Sequence, residues 1–160
     1  MDTSELILAA LALLVGVALA WRSGPLERVM LFLSALLISA MLFLPGSQLV
    51  GLLGKDSVRA LERLVSVTPW SLSDWLHFVI FGWLGLALWL GRADLRGWEA
   101  WLLVVVLAVA AEVAQGLAPD RAPRLDDVLL NLAGGMAGLL FGIGAVALTR
   151  TFRGRGTMGR

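Results

Sequence analysis

The sequence predicts an all-α fold, a polytopic membrane helix bundle of about five transmembrane helices with a short amphipathic surface helix between the second and third. Three observations predict this class. Of the 160 residues, 59% are hydrophobic and only 16% charged, whereas soluble domains have about 45–50% apolar and about 25% charged residues. The mean hydropathy is +0.85. The apolar residues also form long runs, and helix is the expected state for such runs because lipid cannot pair with backbone polar groups.

The five apolar runs meet the length of a membrane helix to different degrees. Crossing the hydrocarbon core takes roughly 20 residues, with about 17 tolerated. The fourth and fifth runs meet this length, and the first three do so only with flanking residues such as Thr3, Ser4 and Pro45. Most tryptophans lie near the ends of the runs, as an interfacial aromatic belt would place them. The runs are Leu6–Trp21, Val29–Leu44, Trp75–Leu90, Trp98–Leu117 and Val128–Leu148.

The long connection between the second and third runs contains a charged segment, residues 55–65. Its apolar residues Val58, Leu61 and Val65 recur at helical spacing, and its charged residues fall on other faces. This pattern predicts an amphipathic helix lying on the membrane surface. A solvated helix packed against the protein is the alternative.

The distribution of Lys and Arg predicts the orientation. One side of the membrane would carry eight arginines, and the other would carry five basic residues, from Lys55 to Arg124. We therefore predict a multi-pass protein of the bacterial inner (cytoplasmic) membrane, with its N-terminus outside and its C-terminus in the cytoplasm. The segment Ala18-Leu19-Ala20 is also similar to a signal-peptidase site, but no basic segment precedes the apolar run, which argues against cleavage.

Composition excludes several functional classes. A net charge of +1 argues against a nucleic-acid partner. The absence of cysteine excludes disulfides, thiol catalysis and zinc-thiolate sites. His77 is the single histidine, which excludes a multi-histidine metal site. We predict neither a bound metal nor a cofactor.

Polar side chains gather at one end of the last three runs, at the outer leaflet in the predicted orientation. A carboxylate within a span costs about 2.5–3.5 kcal/mol on insertion scales, so it must face protein or water and have a partner. Arg121 and Arg124 in the following loop are the expected partners, because a guanidinium grips a carboxylate through two parallel bonds. The polar residues are Asp74 and His77 in the third run, Glu112 and Gln115 in the fourth, and Asp126, Asp127 and Asn131 at the start of the fifth.

Three glycines, Gly134, Gly138 and Gly142, follow at four-residue spacing in the fifth run. Such a stripe of small residues lets another helix backbone approach closely. We predict a packing role for it, which would bring Asn131 near Glu112.

These motifs, in this order and spacing, resemble the VanZ-like membrane family. The resemblance extends over roughly residues 29–148 and divides the chain into an extra N-terminal transmembrane helix (1–27), a VanZ-like membrane domain (28–149) and a disordered basic cytoplasmic tail (150–160). Trp75 stands where the family usually has lysine, and the spacing to Asn131 favours Asp127 over Asp126 for the family's aspartate. The matching segments are Asp74-Trp75-Leu76-His77-Phe78, Glu112-Val113-Ala114-Gln115, Pro119-Asp120-Arg121 and the stretch from Asp126 to Gly138.

The resemblance implies a role in the cell envelope, with a link to resistance against the glycopeptide teicoplanin. One hypothesis is that the polar cluster binds an anionic or glycan-bearing envelope lipid or lipid-linked precursor. The arginines would contact phosphate, and Glu112 and the amides would contact hydroxyl or amide groups. The predicted binding residues are Asp74, Gln115, Arg121, Arg124 and Asn131.

Two alternatives remain open at this stage. The cluster would be a hydrolase or transferase site if His77 acts as general acid or base, oriented by Asp74 or Asp127, with Glu112 as a second acid–base group. It would be a structural lock if the same groups only join the helices through hydrogen bonds and ion pairs. The oligomeric state is not predicted.

Overall fold

The prediction of an all-helical fold is confirmed. The computed structural model describes residues 3–43, 50–51, 54–117 and 123–156, and this part of the chain contains no strand. A 3₁₀ turn, Ala93–Leu95, lies between the α-helix that ends at Gly91 and the α-helix that begins at Trp98. The α-helices are α1 (Thr3–Ala20), α2 (Pro25–Phe43), α3 (Lys55–Val65), α4 (Leu72–Gly91), α5 (Trp98–Gly116) and α6 (Leu125–Gly156).

Three of these helices are long and apolar enough to cross a membrane: α4, α5 and α6 over Leu125–Phe152. This is fewer than the five predicted. The side chains of α1 are described only from Ala10 to Ala20, and this part is an apolar helix shorter than a membrane span. Large apolar side chains such as Val79, Val113 and Phe141 are exposed on the outside of the bundle. Such a surface is costly in water and is typical of helices that face lipid.

Helices α4 and α6 pack against each other through glycine. A Cβ atom added at Gly134 would collide with the carbonyl oxygen of Phe78, and one added at Gly138 would collide with that of Gly82. Only the missing side chains therefore allow the two backbones to approach so closely. Residue numbers increase in the same direction along both helices at these contacts, so α4 and α6 run parallel.

Helix α5 lies antiparallel to this pair. The Val104 side chain sits against Gly135 of α6, and Val104 is fully buried together with Phe81, Leu88 and Leu139. Because α5 runs in the opposite direction, α4 and α6 begin at the end of the bundle where α5 ends. We call this end, defined by Leu72, Gly116 and Leu125, the polar end.

Helices α1 and α2 form a hairpin beside this three-helix unit. Gly16 of α1 lies directly against Ala35 of α2. Leu31 of α2 is buried in the common core, and the Trp83 indole of α4 donates a hydrogen bond to the Met30 carbonyl at 3.4 Å. The hairpin therefore joins the unit mainly through α2.

Helix α3 covers residues 55–65, the segment for which the sequence predicts an amphipathic helix, and none of its residues is buried. At the other end of the chain, α6 continues to Gly156, so that the first part of the expected basic tail is helical. The hydroxyls of Thr149 and Thr151 donate to backbone carbonyls one turn earlier. Residues 157–160 lie outside the described residues.

A buried arginine joins three segments at the end opposite the polar end. The Arg92 guanidinium donates to the Leu19 carbonyl at the end of α1 at 2.9 Å. It also binds both carboxylate oxygens of Asp94, at 2.9 and 2.8 Å. This hydrogen-bonded pairing lowers the pKa of Asp94 from its usual 3.8 to about 2. Asp94 therefore holds Arg92 in position to donate to a carbonyl in the last turn of α1, where the backbone carbonyls lack partners within the helix.

We expect Asp94→Asn to lower the melting temperature slightly at neutral pH. Because the pKa of Asp94 is lower in the folded state, the carboxylate stabilises the fold fully above about pH 4 and loses this effect as the pH falls towards about 2. The difference between the variant and the parent protein should therefore shrink as the pH falls below about 4 and vanish below about pH 2. Asp56→Asn is the control, because Asp56 is fully exposed beside Arg59. Equal melting temperatures at pH 7 for Asp94→Asn and the parent would contradict this role.

Candidate functional site

The centre of the polar end is a hydrogen bond between two buried side chains on neighbouring helices. His77 of α4 and Asn131 of α6 meet through Nδ1 and Oδ1 at 3.0 Å, and both residues are buried. With the amide oxygen as acceptor, the imidazole carries its proton on Nδ1 and donates it. The glycine contacts between α4 and α6 place these two side chains opposite each other.

The Asn131 amide nitrogen has no hydrogen-bond partner among the described residues. Asn131 is only 1% exposed, so bulk water does not reach it freely. A buried donor left unpaired costs about 1–3 kcal/mol. The site therefore offers a hydrogen-bond donor to an acceptor that the described residues do not provide.

Glu112 lies near the C-terminal end of α5, and Gln115 lies about one turn further along the same helix. Both residues are buried. The Glu112 carboxylate accepts a hydrogen bond from the backbone N–H of Arg124, the residue immediately before α6. The first N–H groups of a helix lack partners within the helix, and negative charge is favoured at that end of the helix dipole. Glu112 thus caps a neighbouring helix.

Arg124 does not take the role that the sequence suggests for it. Arg124 contacts Glu112 through its backbone, and its side chain is 61% exposed and pairs weakly with Asp126 at 3.7 Å. The predicted bidentate grip on Glu112 is therefore absent for Arg124. Arg121, together with Pro119 and Asp120, lies outside the described residues.

The two aspartates at the start of α6 lie in different environments. Asp127 is buried, whereas the Asp126 side chain is mostly exposed. Asp127 is one turn before Asn131 and so lies on the same face of α6. Val104 of α5 lies against Gly135 of α6. Glu112 follows Val104 along α5, and Asp127 precedes Gly135 along α6, each by a distance of about 12 Å at 1.5 Å per residue. Because the two helices are antiparallel, both distances lead towards the polar end. Both carboxylates are therefore at the same level of the polar end.

Asp74 is occupied within its own helix. The Ser71 N–H donates to the Asp74 carboxylate at 2.8 Å, and the Asp74 N–H donates to the Ser71 hydroxyl at 3.2 Å. This capping box starts α4. The carboxylate thus satisfies a backbone donor at the helix start, which is a different role from orienting His77 for catalysis. The signal Ser-x-x-Asp is present in the sequence at this position.

An aromatic cluster lies beside the start of α4. Trp70, Trp75 and Phe78 have ring centroids 5.0 to 6.0 Å apart. The Trp75 indole donates to the Thr68 hydroxyl at 3.0 Å. Trp75, which replaces the lysine of the family pattern, therefore packs among aromatic rings. Sequence reasoning places these tryptophans at a membrane interface and misses that they meet.

The predicted packing glycines all lie at helix contacts. Gly134 and Gly138 face α4 backbone, and Gly142 faces the Trp89 side chain. The partner of the stripe is α4, so its direct effect is to bring Asn131 to His77. Among the described residues, no group of three His, Cys, Asp or Glu side chains is arranged to hold a metal ion.

The polar end brings together several groups that form hydrogen bonds. It combines a free amide donor on Asn131, carboxylates on Glu112 and Asp127, and a second amide on Gln115, and these groups hydrogen-bond hydroxyl, amide or phosphate groups. The His77 ring is held by the Asn131 amide.

Comparison with known proteins shows to which family the chain belongs. A family model described as VanZ/LLP1 matches residues 8–147. The match includes most of α1, which the sequence resemblance from residue 29 onward does not cover. No curated protein matches the chain, and no solved structure matches it. Because the match covers most of the 160 residues and agrees with the motifs at the polar end, this chain belongs to the VanZ/LLP1 family.

Proposed function

We propose that this protein spans the bacterial inner membrane five times and binds the head group of an anionic or glycan-bearing envelope lipid, or of a lipid-linked precursor, at the polar end. Helices α1 and α2 supply the first two spans, the N-terminus is outside, and the polar end faces the outer leaflet. If the ligand is a cell-wall precursor, binding would also affect sensitivity to glycopeptides such as teicoplanin.

The observation that carries the proposal is the unpaired amide nitrogen of Asn131. A phosphate, hydroxyl or carbonyl oxygen of a head group would satisfy it. Asp127 and Glu112 supply acceptors at the same end, suited to sugar hydroxyls or amides. The partner is a lipid rather than a water-soluble molecule because the polar end closes a bundle whose outer surface is apolar.

Two further features support a head-group site. The Arg124 side chain is 61% exposed and so is available to a phosphate. The aromatic cluster of Trp70, Trp75 and Phe78 lies at the same end, where an interfacial belt is expected. Both features are expected of a site at the depth of lipid head groups.

Lipid retention tests the proposal. We expect Asn131→Leu to reduce the lipid that co-purifies with the protein in mild detergent by roughly tenfold, since a hydrogen bond to a charged group contributes about 1.5–3 kcal/mol. The combined Arg121→Ala and Arg124→Ala variant should reduce phospholipid or lipid-linked sugar similarly. Lipid mass spectrometry gives the amount per protein. Leu129→Ala, an exposed position on α6, is the control. Unchanged lipid in both site variants would refute head-group binding.

The His77–Asn131 hydrogen bond favours a structural lock as the second candidate. Such bonds between membrane helices contribute about 0.6 kcal/mol on average. If the lock were the only role, His77→Phe and Asn131→Leu would lower the melting temperature equally and leave bound lipid unchanged. If the head-group site exists, Asn131→Leu reduces bound lipid beyond any loss of stability that it shares with His77→Phe.

A further inference from the structure

A cavity of about 200 Å³ lies between the α1–α2 hairpin and helices α4 and α5, and all of its lining residues are apolar. Small residues make the space, among them Gly16, Ala35, Ala110 and Ala111. Gly16 and Ala35 also form the contact between α1 and α2, whereas none of the described polar residues of the polar end lines the cavity.

The cavity opens sideways. Leu11 and Val15 of α1 and Ala110 of α5 line it and are also exposed. Helix α1 packs on α2, which leaves the gap between α1 and α5 as the opening. In a membrane this gap faces lipid chains, so an acyl chain can enter without crossing a polar region.

The cavity extends along α5 towards the polar end, as far as Ala114. Leu107, Ala110, Ala111 and Ala114 line it, and these positions form one stripe along the helix. The buried Gln115 lies one turn beyond Ala111 on the same stripe. From Gln115 to Leu107 the helix descends about 12 Å at 1.5 Å per residue. A polar head at the polar end would therefore have its chain directly below it, along the cavity wall.

We propose that this cavity holds one acyl chain of the lipid whose head group binds at the polar end. This inference rests on the proposed function and adds a site for the apolar part of the ligand. The ligand is then an amphiphile with an acyl chain rather than a soluble sugar or free phosphate. An apolar cavity of this kind stays dry and takes up apolar molecules. An acyl chain is apolar like the cavity lining, would lie along α5 below its head group, and can enter through the gap between α1 and α5.

Filling the cavity tests the inference. Ala110→Phe places an aromatic ring in the cavity from its exposed rim, so the core need not move. Val113→Phe is the matched control, because Val113 lies on the same helix, is exposed and does not line the cavity. The probe is phosphatidylglycerol with a diazirine in one acyl chain, added to the purified full-length protein in detergent, cross-linked by light and measured by mass spectrometry.

We expect Ala110→Phe to reduce cross-linking by at least about fivefold, since it removes most of the apolar contact of one chain, and Val113→Phe to retain it. Asn131→Leu should also reduce it. Cross-links should map to Leu107, Leu11 and their neighbours in the cavity.

Other outcomes separate the two proposals. If Ala110→Phe retains cross-linking while Asn131→Leu loses it, the head-group site stands and the chain lies elsewhere, which overturns the inference alone. If no variant loses cross-linking, both proposals fail. A change of oligomeric state in Ala110→Phe would show that a second copy fills the cavity, which also overturns the inference. Should Ala110→Phe not fold, Ala114→Leu, which narrows the same cavity, decides in its place.

Discussion

Gly138→Leu is expected to prevent α4 and α6 from packing together and to lower the stability of the fold more than any other substitution proposed for this chain. A Cβ at this position collides with the carbonyl oxygen of Gly82 and comes within 2.8 Å of the Leu86 nitrogen. Both are backbone atoms, so no side chain can turn away to make room. Overpacking of a core typically costs about 1–3 kcal/mol, and we expect the upper end of that range or more. The His77–Asn131 hydrogen bond would be lost with the contact.

The control for this change is on the same helix. A Cβ at Gly144 has no heavy atom within 4 Å, so Gly144→Leu adds the same side chain with no collision. We expect Gly144→Leu to keep the melting temperature and the monodisperse fraction of the purified protein, and Gly138→Leu to lose both. Equal stability of the two variants would show that α4 and α6 do not approach as closely as described.

The glycine stripe also shows what the sequence can and cannot predict about packing. Four-residue spacing from Gly134 to Gly142 indicates a face that accepts another helix, because such residues fall on one side of an α-helix. It does not indicate which helix. Gly82 and Gly85 of α4 complete the contact, but they lie in a run whose spacing is less regular. The choice of partner depends on how all helices pack, which a local pattern does not contain.

The same contrast between what the sequence can predict and what it cannot applies to the polar end. Buried polar residues within apolar runs are visible in the sequence because each is unusual there, and this is how His77, Glu112 and Asn131 are found. Pairings across the bundle are not visible. The sequence suggests that the Arg124 side chain pairs with Glu112, whereas the structure brings the Arg124 backbone to it. That contact depends on the path of the α5–α6 connection.

The capping role of Asp74, by contrast, can be predicted from the local sequence. Ser71 and Asp74 have the spacing of a capping box directly before an apolar run, and the structure shows both of its hydrogen bonds. The predictions of Asp74 as a binding residue and as a partner for His77 leave out this shorter-range explanation. A carboxylate three residues after a serine at a helix start should first be considered as a cap.

Glu112→Ala is expected to have the second-largest effect, because it removes the carboxylate that caps α6. The Arg124 N–H would lose its acceptor, and a hydrogen bond to a charged group contributes about 1.5–3 kcal/mol. We therefore expect a lower melting temperature and faster hydrogen exchange in a peptide covering residues 123–130. Glu99→Ala is the control for loss of a carboxylate, since Glu99 lies in the first turn of the same helix at the opposite end of the bundle.

Glu112→Gln separates the hydrogen bond from the charge. Glutamine keeps a carbonyl oxygen that can accept from the Arg124 N–H, so slow exchange of residues 123–130 should largely return. A hydrogen bond between neutral groups contributes about 0.5–1.5 kcal/mol, against about 1.5–3 kcal/mol when one group is charged, so the melting temperature should recover only in part. If Glu112→Gln exchanges as fast as Glu112→Ala, the carboxylate acts through its charge rather than as an acceptor. The α5–α6 connection would then be held by an electrostatic contact instead of a cap.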